Sequence, residues 1–382
     1  MAQRSKNRFK TTAFAKRIAS KGNVPEATAY AGMPTTRYQG SKRKILPWLD
    51  ETFQRLEFET VLDVFGGTGS VSYLLKSMGK RVTYNDYLLW NHAIGTALIE
   101  NDGIKLDERE IQYLIQPVHP DTQGFVTQHF KNIYFTHREN QWIDTITTRI
   151  ETLFPDPKKD RYKRALARYC LYQTCLVKRP FNLFHRANLS LRQADVERSF
   201  GNKTTWDTSF AKHYVNFAEE INESIIKGKH PCKAIHHEAT AIPARKYDLI
   251  YLDPPYLRTG KALETADYHR CYHFLEGLAQ YANWDKMIDR ASSLKLIQPK
   301  SQNPWISTEA STEALETLLD KFQNSTVVIS YRKFGCPSID TLRRILQRRG
   351  KKVTVQSKHY KYALNQQNGS AAQNRECLVI GR

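Results

Sequence analysis

Several familiar signatures are missing from this chain of 382 residues. Its six cysteines (Cys170, Cys175, Cys232, Cys271, Cys336 and Cys377) form no C-x-x-C pair. The twelve histidines are read as lacking ligand spacing, so no metal site is expected. No signal-peptide pattern is seen, and the cysteines are read as reduced thiols filling the core of a cytoplasmic protein. No apolar run approaches the ~20 residues a membrane helix needs. Internal repeats and low-complexity tracts are absent. Acidic residues are the scarce charge. Asp and Glu number 38 against 58 Lys and Arg, a formal charge of +20. A solvated basic surface is one explanation; a polyanionic partner is the better one, because 20 Tyr and 17 Phe add flat faces on which bases can stack.

Sheet patterns occupy the two ends of the chain. "VLDVF" (61–65) reads as a buried strand, followed by the turn "GGTGS" and a helical run "VSYLLKSMGK". "RVTYND" is a second strand ending in Asn85 and Asp86, and 87–100 reads as helix. This is the opening of a doubly wound sheet. From about 104 to 230 no strong strand is found, while aromatic and basic residues are dense. Strands return at "CKAIHHE" and "YDLIYLD", then helices over 266–283 and 310–323, strand "TVVISY", helix "SIDTLRRILQRR", and strands "KVTVQSKHY" and "ECLVIG". The expectation is an α/β, Rossmann-like, parallel-type sheet with helices on both faces, interrupted by a mainly helical insert. Its parts are a basic arm (1–35), a catalytic domain (36–103 and 231–382) and an insert (104–230). The first 25 residues hold seven Lys or Arg and no acid. They lack the sustained amphipathic pattern of a transit peptide and are read as an arm on DNA.

Two motifs carry chemistry. In "DVFGGTGS" the glycines let backbone approach a ligand closely. The nicotinamide fingerprint fails, because its third glycine position is Ser72, and the spacing of a P-loop also fails. A purely structural turn is the alternative. Asp86 stands about twenty residues on, where an acid accepts ribose hydroxyls; a helix cap is equally compatible. In "YDLIYLDPPYLR" a strand runs into Asp253 and two prolines, which have no N–H for the ladder. That places a carboxylate in a stiff corner at the ligand-binding edge of the sheet. A carboxylate and a rigid carbonyl there could each hold one hydrogen of an aromatic amine, turning its lone pair toward an electrophile. Tyr256 could stack on the base.

These motifs resemble the Dam-type, alpha-group adenine-N6 DNA methyltransferases. The resemblance rests on "YQGSKRKI" (38–45), "DVFGGTGS" (63–70), "YND" (84–86), "DPPY" (253–256) and "VVISYRKFG" (327–335), in the alpha-group order. It implies S-adenosyl-L-methionine as cofactor, contacted by Tyr38, Lys42, Asp63, Phe65, Gly66, Gly67, Gly69, Asp86 and Asp253. It implies Asp253, Pro254 and Tyr256 as catalytic. Within 236–240 ("HHEAT") it does not single out the residue touching the cofactor's adenine. In the insert, "KRPFN" and "RSFGNKTTW" combine the side chains that read base edges and hold phosphates. Lys178, Arg179, Asn182, Arg186, Arg198, Asn202 and Lys203 are the DNA-binding candidates, with a solvated loop as the alternative. The implied activity is N6-methylation of a flipped adenine in double-stranded DNA, as the modification enzyme of a restriction–modification system with a cognate endonuclease. The rivals are a cytosine-N4 methyltransferase, which more often carries Ser at position 253, and an inactive DNA-binding subunit.

Overall fold

The computed structural model describes residues 30–194, 203–257, 266–299, 302–359 and 375–382. Seven strands form one sheet in the order β3-β2-β1-β4-β5-β7-β6. They are β1 (Thr60–Asp63), β2 (Arg81–Asn85), β3 (Lys233–Ile235), β4 (Leu249–Leu252), β5 (Thr326–Arg332), β6 (Val353–His359) and β7 (Arg375–Gly381). The central strands are short and apolar because both of their faces are covered. Their side chains alternate between two cores. Val61, Leu249, Tyr251 and Val328 enter one, and Leu62, Ile250, Leu252 and Ile329 the other.

Pairing is parallel from β3 through β5. β7 departs from the expected parallel arrangement: it runs antiparallel to both β5 and β6. The reason is legible in composition. A parallel neighbour needs a crossover, usually a helix, and residues 360–374 carry no helical apolar period.

Helices α1 (Leu46–Gln54), α2 (Ser70–Ser77) and α3 (Leu89–Gly95) cover the first face. The insert supplies α4 (His137–Leu153), α5 (Arg161–Val177) and α6 (Phe210–Ser224), and α7 (Tyr268–Ala279) follows β4. The second face carries α8 (Thr308–Lys321) and α9 (Ile339–Arg348). α4 starts at a capping box, with Thr136 and Glu139 each accepting from the other's backbone. α5 packs on α3 and α6, and Trp90 meets Tyr172 edge-on at 6.1 Å. One apolar core therefore runs from the sheet into the insert without a break at 104 or 230.

The turn after β1 is held by Tyr84. Its ring lies between Gly66 and Gly95, so close that a Cβ at either would fall 2.1 or 2.4 Å from a ring carbon. Its hydroxyl faces the carbonyls of Gly67 (2.7 Å) and Asn91 (3.0 Å). Gly69, at φ +73°, caps the start of α2 in the left-handed region that side chains other than glycine's rarely adopt. Gly95→Ala should therefore lower stability by about 2–3 kcal/mol, through overpacking against a ring that cannot move aside. Tyr84→Phe, which loses one buried hydroxyl, should lower it by about 1 kcal/mol. Denaturant midpoints at constant m-value check both, and Gly95→Ala at wild-type stability would show that the ring moves freely.

Candidate active site

The carboxyl ends of β1, β2 and β4 open onto a cleft of about 870 Å³, part of it open to solvent. Tyr38, Lys42, Asp63, Phe65, Gly66, Gly67, Asp86, Asp253, Pro254 and Tyr256 all line it. Gly69 does not line it and acts through the turn.

Asp86, at the end of β2, ties three pieces together. Its Oδ2 accepts from the Gly67 N–H (2.9 Å) and from Asn91 Nδ2 (3.2 Å), and its Oδ1 from the Leu88 N–H (2.9 Å). Burial lifts its pKa from 3.8 to about 6, with the Leu88 and Gly67 donors opposing. Asp86 thus shapes the glycine turn and the entry to α3, and it also faces the cleft. Asp63, at the end of β1, accepts from the Ser72 hydroxyl at Oδ2 (2.7 Å). Its Oδ1 is buried and makes no hydrogen bond among the described residues. Burial, opposed by Ser72, raises this carboxyl from 3.8 to about 7.

Asn85 clamps the segment beside the turn. Its Nδ2 donates to the carbonyls of Val64 (2.9 Å) and His237 (3.1 Å), and its Oδ1 accepts from the His237 N–H (3.1 Å). His237, Glu238 and Ala239 consequently line the cleft, as do Phe65 and Trp305, an edge-on pair with centroids 4.8 Å apart. Asn85 and Trp305 were missed by sequence reasoning. Asn85 sat next to the acid taken as functional, and Trp305 lies in a segment without a motif.

Asp253 is fixed from two sides. Lys42 Nζ sits 2.7 Å from its Oδ2, and the Tyr256 hydroxyl lies 2.8 Å from its Oδ1. Burial raises the Asp253 carboxyl, Lys42 pulls it back, and Glu376 adds to the rise. Burial alone would lower the Lys42 ammonium, but Asp253 and then Glu376 outweigh it and hold it above its ordinary value. Glu376, on β7, lies 3.5 Å from Lys42 Nζ and 2.6 Å from the Tyr256 hydroxyl. It too was missed; a lone glutamate opening the apolar "ECLVIG" was the available signal. Tyr38 stacks on Tyr272 (4.9 Å, 8°) and Tyr268 (5.5 Å, 24°), making one aromatic wall.

The insert's candidates separate. Arg198 and Asn202 lie outside the described residues, as does the arm up to residue 29. Arg186 and Lys203 are exposed and Asn182 half-buried. Two assignments need correction. Lys178 is buried, bonded to the carbonyls of Trp206 and Thr208 and paired with Glu139 at 3.1 Å. Arg179 is 2% exposed and donates to the carbonyls of Leu183, Ala187 and Arg186, with its guanidinium 4.7 Å from the Tyr134 ring centre. Their donors are spent on protein acceptors, so both hold the main chain around them from within. The histidine reading also needs correction, since His269 and His273 stand four apart on α7. His273 is buried with Nε2 2.7 Å from the Tyr134 hydroxyl, and no metal-holding cluster occurs among the described residues. Nor, among those residues, is any helix long and apolar enough to cross a membrane.

A mostly parallel sheet, a glycine turn under a buried acid, and a proline-stiffened carboxylate at the next strand end define a Rossmann-like group-transfer enzyme. The chain belongs to the D12 class N6 adenine-specific DNA methyltransferases, a family that matches it over residues 38–334. It is similar to the type II methyltransferase M2.HphI of Haemophilus parahaemolyticus, 26% identical over 84% of this chain and 90% of that protein. It is also similar to the type II methyltransferase M.NlaIII of Neisseria lactamica, 22% identical over 85% of this chain and 92% of that protein. The chain is thus an adenine-specific DNA methyltransferase by family, which implies a methyl donor.

The buried acids set a pH dependence. Folded Asp63 keeps its proton to about pH 7 and Asp86 to about pH 6, against 3.8 for each ordinarily. The folded state binds more protons in that window, so this part of the stability is full below about pH 4 and lost as pH rises through 6 and 7. Urea midpoints of the ligand-free protein should show this decline, and Asp63→Asn should flatten its upper part. An equally steep profile in Asp63→Asn would remove Asp63 as its source.

Proposed function

We propose that the protein methylates N6 of a specific adenine in double-stranded DNA, using S-adenosyl-L-methionine, as the modification partner of a restriction endonuclease in the cytoplasm. The observation that carries the chemistry is the Asp253–Pro254–Pro255–Tyr256 corner, which lines the same cleft as Asp63 and Asp86. The cleft's residues fit the cofactor. The orphaned Oδ1 of Asp63 suits an amino group, Asp86 suits ribose hydroxyls, and Phe65 with Trp305 offers a face for the adenine ring. S-adenosylmethionine would supply a methyl group on a cationic sulfur that departs neutral. The Asp253 carboxylate would accept one N–H of the target amine and the Pro254 carbonyl the other. Held this way, the nitrogen's lone pair would be directed at the donor's methyl group, and the proton that nitrogen gives up would leave to water. Charge placement and orientation do this work; no strong base is required.

Support for the DNA surface comes from the segment after α5. Phe181 is 57% exposed at φ +61°, beside Asn182 at φ +57°. An L-residue held in that region is unusual and reflects constraint by its surroundings. Arg179 supplies the constraint through its carbonyl contacts, and the Phe184 N–H bonds to the Cys271 carbonyl of α7, the helix whose Tyr268 lines the cleft. Arg186, Asn182 and Lys203 remain the candidates for contact with bases or phosphates. The type II relatives support the restriction–modification setting, and the adenine-specific family argues against the cytosine-N4 alternative.

The test is methylation of plasmid DNA with labelled cofactor, mapping of the modified base, and then single-turnover rates on a duplex carrying the mapped site. Asp253→Asn should lower the rate by about a hundredfold or more while duplex affinity changes little. Label appearing on cytosine, or Asp253→Asn turning over at the wild-type rate, would end this reading.

A further inference from the structure

Glu376 is a carboxylate where the fold does not need one. It is 1% exposed on β7, followed by Cys377, Leu378, Val379 and Ile380, all buried. Burying a carboxylate costs several kcal/mol unless its oxygens are satisfied. Among the described residues its Oε1 is reached by the Ser330 hydroxyl at 2.9 Å, the Tyr256 hydroxyl at 2.6 Å and Lys42 Nζ at 3.5 Å. Tyr256 is the informative one. It has a single proton and, among the described residues, two carboxylate acceptors, Glu376 at 2.6 Å and Asp253 Oδ1 at 2.8 Å. Only one can receive the proton at a time. Asp253 is meanwhile committed at Oδ2 to Lys42. A carboxylate oxygen keeps a second lone pair, but an Oδ1 already accepting the Tyr256 hydroxyl is a weaker and more crowded acceptor for an arriving amine.

We propose that Glu376 is a positioning residue for methyl transfer, taking over the Tyr256 hydroxyl so that Asp253 Oδ1 is released to the substrate amine. This rests on the reading that Asp253 receives that amine. The exchange is a rotation of one O–H between two preformed acceptors, so it needs no movement of backbone. Glu376 also shares Lys42, which keeps the ammonium from leaning wholly on Asp253.

The test uses the full-length enzyme, S-adenosylmethionine and the mapped duplex. Glu376→Gln keeps the shape but weakens the second acceptor, so the hydroxyl stays on Asp253. Its single-turnover rate should fall by about tenfold or more, with cofactor and duplex affinities within about threefold of wild type. The acidic limb of its pH–rate profile should move to lower pH. The groups electrostatically coupled to Asp253 are Lys42, Tyr256, Glu376, Tyr268, Tyr251 and Asp63, and the substitution removes one of the anions that raise it. The deciding measurement is Tyr256→Phe in the Glu376→Gln background. Deleting the hydroxyl frees Asp253, so the double variant should be faster than Glu376→Gln alone. A double variant as slow as or slower than Glu376→Gln overturns the proposal, and so does an unmoved acidic limb. Should Glu376→Gln melt below the assay temperature, Ser330→Ala, which loosens Glu376 without removing it, should show the same rate loss in smaller measure; a wild-type rate there overturns the proposal equally. Asp253→Asn run alongside keeps the two readings apart, because full activity in that variant removes Asp253 itself and not the hydroxyl exchange.

Discussion

The Lys42 ammonium is the interaction on which this active site depends. Four carboxylates gather at one edge of the sheet: Asp63, Asp86 and Glu376, which are buried, and Asp253, whose side chain is 17% exposed. Desolvation is the largest cause of the raised pKa of Asp63, Asp86 and Asp253. Such a group of acids resists being brought together unless a cation or bound ligand compensates. Lys42 compensates at the β4 end only, through contacts of 2.7 Å to Asp253 and 3.5 Å to Glu376. The β1 end is left with a buried, unmatched oxygen on Asp63. The asymmetry leaves Asp253 beside a cation and Asp63 with one buried oxygen unmatched.

The same edge shows why the glycine turn takes its form. Tyr84 belongs to β2, yet its ring fills the space under the turn after β1 and against α3. A large side chain between Gly66 and Gly95 fixes turn, strand and helix at once. Asp86 then fastens the turn's amide from the other side. The turn is rigid because packing and hydrogen bonding agree, which is what lets backbone stand beside a ligand without closing on it.

Most of the sheet was legible because its strands are apolar runs broken by glycine or proline, and the site's acids stand where those runs end. The antiparallel β7 was not legible from the strand itself, since "ECLVIG" reads the same in either direction; the information lay in the missing crossover helix. Glu376 was hidden for a related reason. Its significance arises from the pairing of β7 with β5, which puts it beside Ser330 and within reach of Tyr256, 120 residues earlier in the chain. Lys178 and Arg179 were misread because a basic residue in a basic segment looks solvated. Only the fold reveals that main-chain carbonyls face it.

That last misreading bears on how the enzyme can recognise a sequence. Arg179 holds the 180–188 segment through carbonyl oxygens of Leu183, Arg186 and Ala187, not through their side chains. Lys178 likewise grips the carbonyls of Trp206 and Thr208. A scaffold bound to backbone is indifferent to which side chains it displays. The shape of the segment after α5 is therefore set from beneath by Arg179; the exposed Arg186 side chain can differ without disturbing the fold, whereas Phe181 and Asn182 sit in the left-handed region and are less free. Because α5 shares its core with α3 and the sheet, that shape is also registered to the cleft. The segment after α5 and the cleft are coupled through one continuous interior.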